Sequence, residues 1–152
     1  MNDPAMDKTD IAILNIINQA FPIEPNPYNG ICSQLGISEN EVMERIKKMR
    51  SSGLIRRIGA TINPKALGWY STLCAADIAP EEIDAFALVV NKYAEVTHNY
   101  VRSGHPNCWF TLIGQSKKRC EEILDKIRTK TGKNIIDLPA HRVFKIKVGF
   151  KL

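Results

Sequence analysis

After Tyr70 the spacing of apolar residues changes period several times, and this most limits the folds open to the chain. Tyr70 to Ile78 reads as a strand. Pro80 stands at a first helical position, with Ile83, Phe86 and Val90 on one face of the helix that follows. Glu95 to Arg102 and Asn107 to Ile113 read as two more strands. Ser116 caps a second helix, with Cys120, Ile123, Leu124 and Ile127 inward and Lys117, Lys118, Lys126 and Lys130 outward. Asn134 to Leu138 opens a final extended region. From Arg142 the alternation predicts a strand with Phe144, Ile146, Val148 and Phe150 on one face and Val143, Lys145, Lys147 and Lys151 on the other. The order β-α-β-β-α-β predicts a ferredoxin-like unit. Its sheet has one face under helices and one face free, and a free face with apolar content calls for a partner chain.

The first sixty residues have a different rhythm. Leu14, Ile17 and Phe21 recur at helical spacing over Asp10 to Phe21. Pro22, Pro25 and Pro27 then force an extended connection. Tyr28 to Leu35 reads as a short helix ended by Gly36. Ser38 with Glu41 forms a capping box for a third helix, which runs to about Arg50 with Val42, Ile46 and Met49 inside. Leu54 to Ile62 reads as strand. Three short helices and a strand pair predict a winged helix-turn-helix. The chain is therefore read as α+β, with a winged helix-turn-helix over 1–63 and a ferredoxin-like domain over 64–152.

Composition narrows the class further. No apolar run approaches the ~20 residues of a membrane span, and the acidic start does not resemble a signal or transit peptide. The four cysteines are widely separated and form no C-x-x-C, which predicts reduced thiols and a cytoplasmic protein. Residues 1–60 balance seven Lys/Arg against seven Asp/Glu, so the whole net charge of +5 lies in the second half. That surplus points to an anionic partner for the second domain.

Winged helix-turn-helix followed by β-α-β-β-α-β resembles the Lrp/AsnC family. Four segments are similar to one branch of it: Arg56-Arg57-Ile58-Gly59-Ala60, Val96-Thr97-His98-Asn99-Tyr100, Trp109-Phe110-Thr111-Leu112 after Asn107, and Asp137 to Ile146. They resemble the siroheme decarboxylases of the alternative haem pathway and the related proteins of haem d1 synthesis. The resemblance covers nearly the whole chain. It implies an enzyme that removes the carboxyls of the C12 and C18 acetates of siroheme, leaving methyls. It also implies a homologous second subunit. The family carries a second histidine a few residues after the H-N-Y segment, and here His105 stands one position displaced from that pattern.

The residues themselves offer matching chemistry. Siroheme sets carboxylates around an iron macrocycle, so its site needs cationic donors and an aromatic or apolar surface. Imidazole can also reach the iron. On an alternating strand His98, Tyr100 and Arg102 point one way. In the next strand Asn107, Trp109 and Thr111 point together, with Cys108, Phe110 and Leu112 toward the helices. Trp109 and Asn107 are thus expected on the free face, and hairpin register decides whether His98, Tyr100 and Arg102 join them. Loss of an acetate carboxyl needs a ring that accepts the electron pair and a general acid that works near neutral pH, which suits histidine. His98 and His105 are the catalytic candidates; His98 serves either as general acid or as axial ligand to the substrate iron. Arg57, Asn99, Tyr100, Arg102, Asn107 and Trp109 are the substrate-binding candidates. No protein metal site and no cofactor beyond the iron tetrapyrrole is called for, although the same pocket could hold a haem. Arg56 and Arg57 also sit where a wing would meet DNA, and alternation sends them to opposite faces.

The rival reading is a transcription regulator whose second domain senses a small molecule. Its recognition helix would begin Glu39-Asn40-Glu41-Val42-Met43-Glu44. Carboxylates at that end suit a helix N-terminus but oppose DNA phosphates. With a neutral first half, DNA binding is not expected.

Overall fold

The computed structural model describes residues 6–146 and 152. It divides into two compact units, one of Met1–Ala60 with Lys145–Leu152 and one of Thr61–Phe144.

The first unit is built on three helices, α1 (Lys8–Ala20), α2 (Asn29–Leu35) and α3 (Glu39–Ser51). Asp7 caps α1 reciprocally: its carboxylate accepts the Asp10 N–H at 2.8 Å and its own N–H donates to Asp10. Gly36, at φ 66°, ends α2 in the left-handed conformation that glycine adopts without strain. Ser38 caps α3 as expected, accepting the Glu41 N–H at 3.2 Å. The other half of the predicted capping box is not made, because the Glu41 carboxylate turns along the helix to Arg45. Ile13, Leu14, Ile31, Val42, Ile46, Met49 and Ile55 form the core. Arg45 is held by Asp7 at 2.7 Å, Asp10 at 2.8 Å and Glu41 at 3.0 Å. The last residue returns to α1, where Leu152 donates its N–H to the Asn15 side chain at 2.9 Å.

The expected wing strand over Leu54 to Ile62 is absent. Of that stretch only Ile55 is buried, while Leu54, Ile58 and Ile62 stay exposed. An extended segment without a packed face or a partner strand does not persist as sheet. The unit is a three-helix helix-turn-helix, and Arg56 and Arg57 lie on irregular chain rather than on opposite faces of a strand.

The second unit contains β1 (Tyr70–Ala76), α4 (Ile83–Val90), β2 (Val96–Val101), β3 (Cys108–Gly114), α5 (Lys117–Thr131) and β4 (Ile136–Leu138). Pro80 opens a single turn, Pro80–Glu82, that leads into α4. The sheet order is β2-β3-β1-β4 with every pair antiparallel, the expected ferredoxin-like arrangement. One face carries Cys74, Ala76, Cys108, Phe110 and Leu112 against Phe86 and Val90 of α4 and Cys120, Ile123, Leu124 and Ile127 of α5. Ser116 caps α5 through the Arg119 N–H at 3.1 Å.

The long final strand expected from Arg142 is not formed among the described residues. Pairing with β1 stops at Leu138, and Pro139, which has no N–H, follows at once. Phe144 and Ile146 are 83% and 79% exposed. The Lys147, Val148, Phe150 and Lys151 positions of that expectation lie outside the described residues. No described helix is long and apolar enough to cross a membrane.

Candidate active site on the open sheet face

The β2–β3 register decides which candidates meet. Tyr100 pairs with Trp109, and His98 pairs with Thr111. On the neighbouring strand Trp109 pairs with Ala75 and Thr111 with Leu73. All of these alternate with the buried Cys108, Phe110 and Leu112, so they stand on the face away from the helices. Ile136 and Leu138 extend that face with apolar side chains 44% and 43% exposed.

A bulge at Thr97 makes this arrangement possible. Val96 pairs with Leu112 and packs on the core, whereas His98, two residues on, pairs with Thr111. Two steps on β2 match one step on β3, so Thr97 is the extra residue. Without it, Val96 and His98 would share a face, and His98 would point toward the helices. With it, His98 is exposed beside Tyr100, and its Nδ1 lies 3.1 Å from the Thr97 hydroxyl.

Arg102 completes the group. Its guanidinium carbon lies 4.9 Å from the Tyr100 ring centre and 5.6 Å from that of Trp109. Its Nη2 donates to the Tyr100 hydroxyl at 3.3 Å. The Trp109 indole N–H donates to the Pro106 carbonyl at 2.8 Å, which fixes the ring against the hairpin. An imidazole, two aromatic rings and a cation therefore lie together on an open surface.

The other candidates are placed differently. Asn107 was expected to line the free face, but its amide is spent elsewhere. Oδ1 accepts the Ile78 N–H at 2.9 Å and Nδ2 donates to the Ile78 carbonyl at 2.8 Å. Asn99 pairs with the buried Phe110, so it faces the helices, where it donates to the Asn91 side chain at 2.9 Å. His105 is exposed in the hairpin loop, with Nδ1 2.7 Å from the Asp77 carboxylate. Arg57 belongs to the other unit and is exposed. Sequence reasoning missed Asp77, the Thr97 bulge and the structural duty of Asn107. Asp77 stands in the sequence between two alanines and an isoleucine with no motif to mark it, and the others depend on register.

Electrostatically, burial pushes the Cys108 thiol beneath the hairpin upward, and Asp77 acts in the same direction. No cluster of metal-ligating side chains occurs among the described residues. The concavity on α5 lined by Glu122, Asp125, Lys126, Thr129 and Lys130 lies on the helical layer, on the other side of the sheet.

Residues 66–145 match the AsnC-like ligand binding domain, and residues 10–56 match the siroheme decarboxylase NirDL-like HTH domain. The siroheme decarboxylase alpha subunit of Desulfovibrio desulfuricans is 43% identical over 147 residues, covering 97% of this chain and 85% of that one. The chain belongs to the siroheme decarboxylase family. The siroheme decarboxylase beta subunit of Methanosarcina barkeri is 35% identical over 133 residues, covering 84% of this chain and 87% of that one. A crystal structure of the siroheme decarboxylase NirDL in co-complex with an iron-uroporphyrin III analogue superposes with a TM-score of 0.67 at 26% identity. The match covers 86% of this chain and 43% of that chain.

Proposed function

We propose that this chain is the alpha-type subunit of a siroheme decarboxylase, a carboxy-lyase that converts the C12 and C18 acetates of siroheme to methyls with release of CO2. One observation carries this reading in the structure. The register sets His98, Tyr100 and Trp109 on one open sheet face, and Arg102 lies over the two rings there, an imidazole beside aromatic rings and a guanidinium.

Each residue type has a task there. Trp109 and Tyr100 offer a surface to the macrocycle. Arg102, already held over those rings, presents its N–H donors to carboxylates that are retained. A reacting acetate must not be paired so tightly, because an ion pair stabilises the carboxylate over the departing CO2. His98 stands over the face as general acid or as axial ligand to the substrate iron, and His105 supplies a second imidazole. The iron enters with the substrate. No further cofactor is needed in this scheme, and a haem could occupy the same surface.

A homologous second subunit completes the enzyme. Ile136, Leu138 and Leu73 leave the face apolar, which supports a protein partner over part of it. The NirDL chain is more than twice the length matched here, leaving room for a second unit of this size. All four cysteines are free thiols, which supports a reducing, cytoplasmic setting. DNA binding is not favoured: Arg45, midway along the would-be recognition helix, is neutralised by Asp7, Asp10 and Glu41.

Anaerobic incubation of the chain with siroheme, alone and with its homologous subunit, tests this. Mass spectrometry should show loss of one and then two CO2. A shift of the siroheme absorption band without mass loss would overturn the catalytic role and leave binding alone, and the absence of both changes would overturn the whole reading.

A further inference from the structure

Asp77 follows the last residue of β1 and pairs with no strand. Its Oδ1 lies 2.7 Å from Nδ1 of His105 in the β2–β3 hairpin loop. The two loops are held together by other means. Asn107 grips both main-chain groups of Ile78, the residue after Asp77. Arg102 donates its N–H to the Asn107 carbonyl at 2.8 Å, and the Trp109 indole donates to the Pro106 carbonyl. The backbone on both sides of the contact is therefore fixed without it.

The contact itself is solvent-exposed, with the His105 and Asp77 side chains 79% and 59% accessible. An ion pair so exposed adds little to stability. Its effect falls on the imidazole. A carboxylate only accepts, so Nδ1 carries the proton in either charge state of the ring, and Nε2 becomes the working nitrogen. A free neutral imidazole in water prefers the opposite tautomer. His98 is partnered differently, by a Thr97 hydroxyl that can donate or accept and so leaves its tautomer open. The other titratable group close to Asp77 is the buried Cys108 thiol, which burial keeps protonated.

We propose that Asp77 is a positioning residue that fixes His105 as the proton donor of decarboxylation, with Nε2 toward the substrate. This rests on the siroheme decarboxylase reading above. In the step, the bond from the methylene carbon to the carboxylate breaks and CO2 leaves. The electron pair passes into the protonated ring system and returns to the methylene carbon as a new C–H bond forms there. His105 loses one proton from Nε2 over the cycle and becomes neutral imidazole, still protonated on Nδ1, and solvent restores the lost proton. Atoms and charge balance, and no oxidant or reductant is consumed.

The test compares wild type, Asp77→Ala, Asp77→Asn and Asp77→Glu in the assembled two-subunit enzyme. In Asp77→Ala, kcat should fall about tenfold or more while KM for siroheme stays within about twofold. Asp77→Glu should recover much of the loss. Nitrogen NMR of labelled histidine should find neutral His105 protonated on Nδ1 in wild type and mainly on Nε2 in Asp77→Ala. An unchanged kcat, or an unchanged tautomer, overturns the proposal. Should Asp77→Ala fail to fold, Asp77→Asn keeps the shape, removes the charge and decides through the same kcat–KM split. An active wild type with an equally active Asp77→Ala sinks this inference alone. A wild-type enzyme that leaves siroheme intact sinks the functional reading, and this inference with it.

Discussion

Asn107 and Ile78 are joined by two hydrogen bonds, amide to peptide, across the loops that follow β1 and precede β3. A side chain here completes a pairing that the strands themselves have stopped making. Asn107→Ala would leave the partly buried main-chain groups of Ile78 without partners, at a cost of about 1–3 kcal/mol. Urea denaturation should show a lower midpoint with an unchanged slope. A midpoint equal to wild type would mean that water replaces the amide without loss.

Arg102 lies over two aromatic rings as well as carrying a charge, so lysine is a poor substitute. Arg102→Lys should weaken siroheme binding about tenfold, which corresponds to about 1.4 kcal/mol. An absorption titration under anaerobic conditions reads this directly. Equal affinities would show that a point charge suffices and that the guanidinium plane is not used.

His98 is exposed, and among the described residues its side chain makes a polar contact only with the adjacent Thr97. His98→Ala should therefore leave the melting temperature within a few degrees of wild type while lowering turnover about a hundredfold or more. A variant that unfolds, or one that keeps full activity, returns His98 to a structural role.

The acid limb of stability should report on Glu95. Arg119 reaches its Oε1 through Nε at 3.0 Å and Nη2 at 2.7 Å and holds the carboxyl below its ordinary range. The native state thus binds the proton less readily than the unfolded chain. The stabilisation is fully present above the unfolded value of about 4.3 and fades as the pH falls through the lower native value. Glu95→Gln should flatten that part of the stability–pH curve. Superimposable curves for the two proteins would contradict the assignment.

Thiol chemistry offers a check on the packing of the second unit. Cys74 is fully buried, and burial pushes its thiol up to about 12. Cys108 and Cys120 are raised for the same reason, while Cys32 is half-buried in the other unit. Iodoacetamide at neutral pH should label Cys32 first and reach the other three only in denaturant, as peptide mass mapping would show. Native labelling of Cys74 would mean that the sheet–helix layer opens readily.

Order and class of elements were largely legible in the text. The inward sets of α3 and α5 follow from spacing alone, because a helix repeats its own face at 3.6 residues whatever lies opposite. The ferredoxin-like succession of elements and the outward position of Trp109 were equally readable. The misses share one cause. The segments at Leu54 and Arg142 alternate like strands, but a strand is defined by a neighbour, and none is there among the described residues. Asn99 and Asn107 were assigned to the site by their place in a motif and their strand parity, and both amides close local bonds instead. Asp77 was invisible because its partner lies 28 positions away and neither residue is in a periodic segment.

The extra residue at Thr97 has a consequence for reading other members of the family. Counting along β2 by twos from its core end would put His98 indoors and its neighbours out, the reverse of what the fold does. A relative lacking one residue at this point could match the chain everywhere else and still present the wrong half of the strand to a tetrapyrrole. In an alignment such a gap would look like noise. In three dimensions it would exchange the chemistry of the strand for its upholstery.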